Sequence, residues 1–134
     1  MKRIEDGIKV LQEVSFCFVK KYASLAKKER VGITDTGKTR WFEFFLDGEP
    51  IGCCGLIYQG KKVRIKGIYL LPQHRGKGNG VFMDDCLLSI AKDDGVNVVE
   101  VLTLHPRFYK SRGFKILKET YKGVFLAQII YEKL

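Results

Sequence analysis

The stretch from Lys62 to Leu104 constrains the fold more than any other. An extended run, Lys62–Leu71, stops at Pro72, and a turn with glycines at 76, 78 and 80 follows it. Residues 79–92 then carry a helical pattern, with Val81, Phe82, Cys86, Leu87 and Ile90 as the predicted buried side. Asp93-Asp94-Gly95 ends the helix, and Val96–Leu104 is almost continuously apolar. Proline cannot donate to a strand ladder, so it closes the first strand. Two strands joined by a helix of this length lie parallel in one sheet. The almost continuous apolar run of the second predicts burial on both faces.

The rest of the chain is arranged around that unit. Arg40–Leu46 and Ile51–Tyr58, joined by Asp47-Gly48-Glu49-Pro50, predict a hairpin, and Gln59-Gly60-Lys61 turns the chain into Lys62. After a short helical turn at 107–112, strands near Lys115–Lys118 and Gly123–Glu132 close the chain. Ahead of the first hairpin, Ile4, Ile8, Leu11, Phe18, Tyr22 and Leu25 recur at helical spacings interrupted near Ser15, predicting one bent helix or two short ones. The expected architecture is α/β: a mixed central sheet flanked by helices, in a single domain spanning residues 1–134.

At 134 residues, one hydrophobic core is expected. No run approaches the roughly 18 apolar residues that a bilayer span needs, and Lys2, Arg3, Glu5, Asp6 and Lys9 break up any apolar signal core. Cys17, Cys53, Cys54 and Cys86 form no CxxC pair and have mostly apolar neighbours. They are expected to be reduced thiols packed as small hydrophobes, with no metal bound, in a cytoplasmic setting. The net charge of +9 is uneven: 10 basic and 8 acidic residues in 1–60, an excess of +2, against 14 and 7 in 61–134, an excess of +7. An anion is therefore expected to bind in the second half.

The Gly-rich turn supplies a place for it. In Ile68-Tyr69-Leu70-Leu71-Pro72-Gln73-His74-Arg75-Gly76-Lys77-Gly78-Asn79-Gly80, three glycines let the backbone approach a ligand and aim several N–H groups one way. The helix start adds the positive end of its dipole, and Arg75 and Lys77 add cations. These features together read as a pyrophosphate site.

Gln73-x-x-Gly76-x-Gly78 resembles the Q/R-x-x-G-x-G/A signature of the GNAT acyl-CoA N-acyltransferases, and Phe108-Tyr109-Lys110-Ser111-Arg112-Gly113-Phe114 resembles that family's F-Y-x-x-x-G-F element. The resemblance spans roughly residues 40–134. It implies acetyl-CoA as cosubstrate, with its pyrophosphate on the loop amides of Arg75, Gly76, Lys77, Gly78, Asn79 and Gly80. Ile68, Tyr69 and Leu70 would hold the pantetheine arm and acetyl carbonyl. Tyr109 would act as the general acid towards the departing thiolate, and an amine as the acceptor. Two departures stand out. No Asn precedes Tyr109 in the short link from Leu104, and the predicted N-terminal helix leaves the family's first strand missing or reduced.

The general base is less evident, because the strand before the loop offers Arg64 and Lys66 where many relatives carry Glu. Glu100, inside the apolar run 98–104, is the first candidate, since burial would raise its pKa; Glu43 and His105 are the others. The lack of an obvious base supports an alternative, a non-catalytic CoA-binding or partner-binding module of the same fold. Gly32-Ile33-Thr34-Asp35-Thr36-Gly37-Lys38-Thr39 matches a phosphate-cradling P-loop pattern, but a strand follows it where that loop needs a helix. Finally, Arg107, Lys110, Arg112, Lys115, Lys118 and Lys122, with Lys27, Lys28, Arg30, Lys38 and Arg40, are expected to rim the acceptor groove and to favour an anionic partner, nucleic acid among them.

Overall fold

The computed structural model describes residues 7–131. One seven-stranded sheet runs through them in the order β1-β2-β3-β4-β5-β7-β6. Its strands are β1 (Lys9–Val14), β2 (Thr39–Leu46), β3 (Glu49–Gln59), β4 (Lys62–Leu70), β5 (Val98–Thr103), β6 (Lys115–Tyr121) and β7 (Val124–Ile130). Only β4 and β5 pair in parallel, and the other neighbours are antiparallel. The crossover between them is helix α3 (Asn79–Asp93). The mixed sheet with flanking helices is therefore the architecture that the sequence predicts.

Each face of the sheet has its own core. On one, Met83, Leu87 and Ala91 of α3, with Tyr109 of α4 (Pro106–Ser111), pack on Phe42, Phe44, Leu56, Val63, Ile65, Val99 and Val101. On the other, α1 (Phe16–Val19), a single 3-10 turn and α2 (Ala23–Lys28) bring Val19, Tyr22 and Ala26 onto Trp41, Cys53 and Tyr69. This second layer covers β2–β4 alone. Leu102 on β5 and Ile130 on β7 consequently stay 43% and 65% exposed, so the last strands are not buried on both faces as β5's apolar run suggested.

Four sequence expectations need correction. Residues 9–14 form an edge strand, not a helix: Lys9–Val14 pairs along β2, from Lys9 opposite Leu46 to Val14 opposite Trp41. A ladder partner is a tertiary opportunity that local spacing cannot express, and here it overrides the helical stripe. Ile4 lies outside the described residues. In the helices that follow, Val19, Tyr22 and Ala26 are buried while Phe18 and Leu25 face outward. On α3 the buried side is Met83, Asp84, Leu87 and Ala91, with Val81 exposed and Phe82, Cys86 and Ile90 half-buried. Among the cysteines, Cys53 and Cys54 are buried but Cys17 is exposed. Burial pushes the Cys53 thiol up to about 12, which suits an inert packed group.

The feature that shapes the site is a bulge in β4. Cys53 pairs with Tyr69 and Gly55 with Lys66, so Gly67 and Ile68 together oppose Cys54. Gly67 takes a left-handed φ of 61°, the conformation in which glycine carries no steric cost. A Cβ there would also meet the Trp41 ring at 2.7 Å. Gly67→Ala is therefore expected to cost about 2–4 kcal/mol, from the left-handed backbone plus the displaced indole. Denaturant unfolding followed by the fluorescence of Trp41 checks this, and a loss under about 0.5 kcal/mol would contradict it.

Candidate active site

β4 and β5 run together only from the Lys62–Val98 pair to the Ile65–Val101 pair. Beyond it the bulge bends β4 away, and Lys66–Leu70 face β5 with no strand partner on that edge among the described residues. The Leu71 N–H donates to Ile51 O of β3 at 2.8 Å. Successive N–H groups along an extended strand alternate sides, so that of Leu70 is directed into the gap. The gap opens into a cleft of about 760 Å³, a size that accepts a large cosubstrate. Its walls are β4 from Arg64 to Leu70, β5 from Val101 with the link to His105, the start of α3, Phe108 and Tyr109, and residues 29–32 after α2.

At one end lies the Gly-rich turn. Gly76 and Gly78 have φ of 73° and 85°, and a Cβ on either would meet nothing within 4 Å, so this backbone is open. Gly78 is the N-cap of α3 and supplies no side-chain cap, which leaves the first-turn amides of a 15-residue helix available to an anion. Asn79 is buried, and its Nδ2 donates to His74 O at 2.9 Å, tying the turn to the strand end. Arg75 does not point freely outward. Its Nε donates to Leu70 O at 2.8 Å, its Nη2 meets Glu29 Oε2 at 2.9 Å, and its guanidinium lies over the Tyr69 ring.

Tyr109 stands in the opposite wall, 5% exposed, with edge-on contacts to Phe108 and Phe114. Gly113, at φ 95°, ends α4 so that the Phe114 N–H returns to Tyr109 O at 3.0 Å. Burial, then the proximity of Asp84 and Cys54, holds the Tyr109 phenol well above its ordinary range, so it stays protonated. Asp84, unremarked in the sequence, is 3% exposed in the same wall. Its Oδ2 accepts Arg112 Nε at 3.1 Å, and its Oδ1 has no hydrogen-bond partner among the described residues. Burial pushes this carboxyl up, partly offset by Arg112. The one signal for it was a carboxylate between Met83 and Leu87, four residues after Gly80.

Of the residues singled out from the sequence, Ile68, Tyr69, Leu70, Arg75, Gly76, Gly78, Gly80 and Tyr109 line the cleft, while Lys77, Asn79 and Glu100 do not. Glu100 is buried on the α1/α2 face of β5, held by Arg64 at 2.7 Å and Lys62 at 3.4 Å. Glu43 is also buried, taken by Tyr22 at 2.7 Å and Lys21 at 2.8 Å. His105 lines the cleft. Residues 32–38 form a loop in which Asp35 Oδ1 accepts the Gly37 N–H at 2.9 Å, and β2 begins at Thr39, so no helix dipole backs that motif. Arg112 and Arg40, expected on a basic rim, are committed to Asp84 and Asp85, and to Glu13 and Asp94.

Comparison with known proteins agrees with this geometry. The model of the acetyltransferase (GNAT) family matches residues 9–114. An uncharacterized N-acetyltransferase of Chlorobaculum tepidum is 35% identical over 83 residues, covering 59% of this chain and 54% of that protein. The match thus spans about half the relative's length. Among solved structures, an IAA acetyltransferase from Bacillus cereus superposes with a TM-score of 0.74 at 18% identity, over 94% of this chain and 100% of that one. The PaiA N-acetyltransferase of Thermoplasma acidophilum, in complex with coenzyme A, gives 0.74 at 16% identity, over 92% and 99%. A GNAT acetyltransferase from Elizabethkingia anophelis with acetyl-CoA bound gives 0.69 at 14%, over 91% and 97%. At these identities the structures speak for the fold, and the family match speaks for descent. No helix among the described residues is long and apolar enough to cross a membrane. With a parted parallel strand pair, an open Gly-rich helix start and a family match over most of its length, the chain belongs to the GNAT acetyltransferase family.

Proposed function

We propose that the chain transfers the acetyl group of acetyl-CoA directly to an amine bound in the same cleft. The observation that carries this reading is the parting of β4 and β5 between the Gly-rich turn and Tyr109. The pyrophosphate sits on the backbone amides from Gly76 to Gly80, and the pantetheine arm lies along the unpaired edge of Ile68–Leu70. The thioester carbonyl accepts the Leu70 N–H, a single preorganised donor for the oxyanion that develops as the amine attacks. The new N–C bond forms as the C–S bond breaks, and the Tyr109 hydroxyl gives its proton to the departing thiolate. The amine loses its proton to solvent at the open end of the cleft. Glu100 has no part in this scheme because two cations already hold its buried carboxylate outside the cleft lining.

Acetyl-CoA is expected to raise the melting temperature, since it binds the native state alone. In Gly78→Asp that shift should vanish. The new side chain meets open space and costs only about 1–2 kcal/mol of backbone strain, but it places a carboxylate where phosphate belongs. A full shift in the variant would refute the assigned site.

Tyr109→Phe should lower kcat roughly tenfold to a thousandfold with little change in acetyl-CoA affinity. Because the phenol is held above its ordinary range, the acid form persists as pH rises. The native enzyme's kcat should then show no decline up to about pH 10, where an ordinary tyrosine would be half ionised. Undiminished turnover in the variant would make Tyr109 structural. Acetyl-CoA binding without transfer to any amine would favour the non-catalytic module instead.

A further inference from the structure

Tyr109, α3 and α4 occupy one face of the sheet, so on the transfer reading above the amine approaches the thioester from the other face, past residues 29–32. We infer that this acceptor is a small amine that also carries an anionic group, a carboxylate or a phosphate. Charge on the approach side is the first argument. Arg64 and Lys66 alternate with the buried Val63 and Ile65, which places them on the α1/α2 face of β4. Arg64 shares Glu100 with Lys62, whereas Lys66 rests over the Trp41 ring at 5.8 Å. Arg30, on the opposite wall, donates to a carbonyl, Lys122 O, at 2.7 Å. Among the described residues neither Arg30 nor Lys66 has a carboxylate partner, and both line the cleft. The carboxylate on this side of the cleft, Glu29, is taken by Arg75. An incoming polycation would meet two uncompensated charges of its own sign, whereas an anion would neutralise them in a partly apolar setting where such pairing is strong.

Size is the second argument. The Arg30–Lys122 hydrogen bond joins the end of α2 to the β6–β7 turn across 92 residues of sequence and roofs the approach. A Cβ on Gly123, in that turn, would lie 3.7 Å from Arg30 Nη1 and 3.8 Å from Leu104 Cδ2, so roof and wall are in close apposition. Val31, Leu102 and Leu104 supply the apolar part of the walls. A roofed passage admits a metabolite-sized amine. A nucleic-acid duplex needs an open basic surface, and the exposed Lys115, Lys118 and Lys122 lie along the edge strand and its turn, outside the cleft lining.

The test uses matched pairs that differ only in the anion: β-alanine against β-alaninamide, and phosphoethanolamine against ethanolamine. Spermidine and an amine-bearing single-stranded oligonucleotide complete the panel. Transfer is followed as release of free CoA thiol, and the acetyl-CoA-induced thermal shift is recorded in parallel. In the native protein the anionic member of at least one pair is expected to show a kcat/KM tenfold or more above its neutral partner. The pair that shows it tells carboxylate from phosphate. In Arg30→Gln/Lys66→Gln the ratio should fall towards one with the acetyl-CoA shift retained, and Lys66→Glu should invert it. Preference for the neutral amines, spermidine or the oligonucleotide would overturn the inference, as would a ratio that survives in the double variant. Transfer to none of these amines, with the acetyl-CoA shift intact, would overturn the transfer reading and the acceptor class with it.

Discussion

The contact on which the rest of the structure depends is the close approach of Gly67 to the Trp41 ring. Only a residue without a side chain can take a φ of 61° with the indole 2.7 Å from where its Cβ would be. That conformation places two residues of β4 opposite one of β3 and turns the strand away from β5 after a four-pair parallel ladder. A continuous ladder would satisfy the backbone of Ile68–Leu70 internally and leave nothing to offer a ligand. The bulge therefore converts a structural sheet into a cleft. Both cores hold it in place: Trp41 is packed against Phe16 from the α1 layer, and Val63 and Ile65 are fixed by the α3 layer.

Electrostatics then divides the molecule's basic excess into committed and available charge. Arg40, Arg64, Arg75 and Arg112 each reach a carboxylate and pin one element to another. Surface ion pairs are weak individually, but those of Arg64, Arg75 and Arg112 each include a cleft-lining residue and fix which groups face into the cleft. Arg75 closes the strand end onto the Gly-rich turn, and Arg112 carries α4 on α3, so Tyr109 and the open helix start are held in one frame. Net charge alone suggested a broadly cationic surface. The pairing pattern shows instead that Arg30 and Lys66, the cleft cations without a carboxylate partner among the described residues, lie on the side of the cleft that α1 and α2 cover.

Much of this was legible because it is local. Pro72, the three glycines and the helical pattern after them fix a strand–turn–helix in one stretch of chain, and Phe108–Phe114 encodes its own helix and stop. What escaped depends on partners distant in sequence. Residues 9–14 carry a helical spacing but have an edge strand beside them in space. Glu100 reads as a buried base until the register places Arg64 directly across from it. Asp84 is 28 residues from Arg112, and Arg30 is 92 from Lys122. Gly67 looks like a weak point in a strand, because its meaning lies in the ring above it and not in its neighbours.

The central claim is that the parted strands and the open helix start form one acetyl-CoA site with Tyr109 at the sulfur. A crystal structure with acetyl-CoA bound tests it most directly. The account predicts pyrophosphate oxygens within about 3 Å of the amides between Gly76 and Gly80, the thioester carbonyl on the Leu70 N–H, and the sulfur beside the Tyr109 hydroxyl. A CoA bound outside the gap between β4 and β5, or a thioester remote from Tyr109, would contradict it.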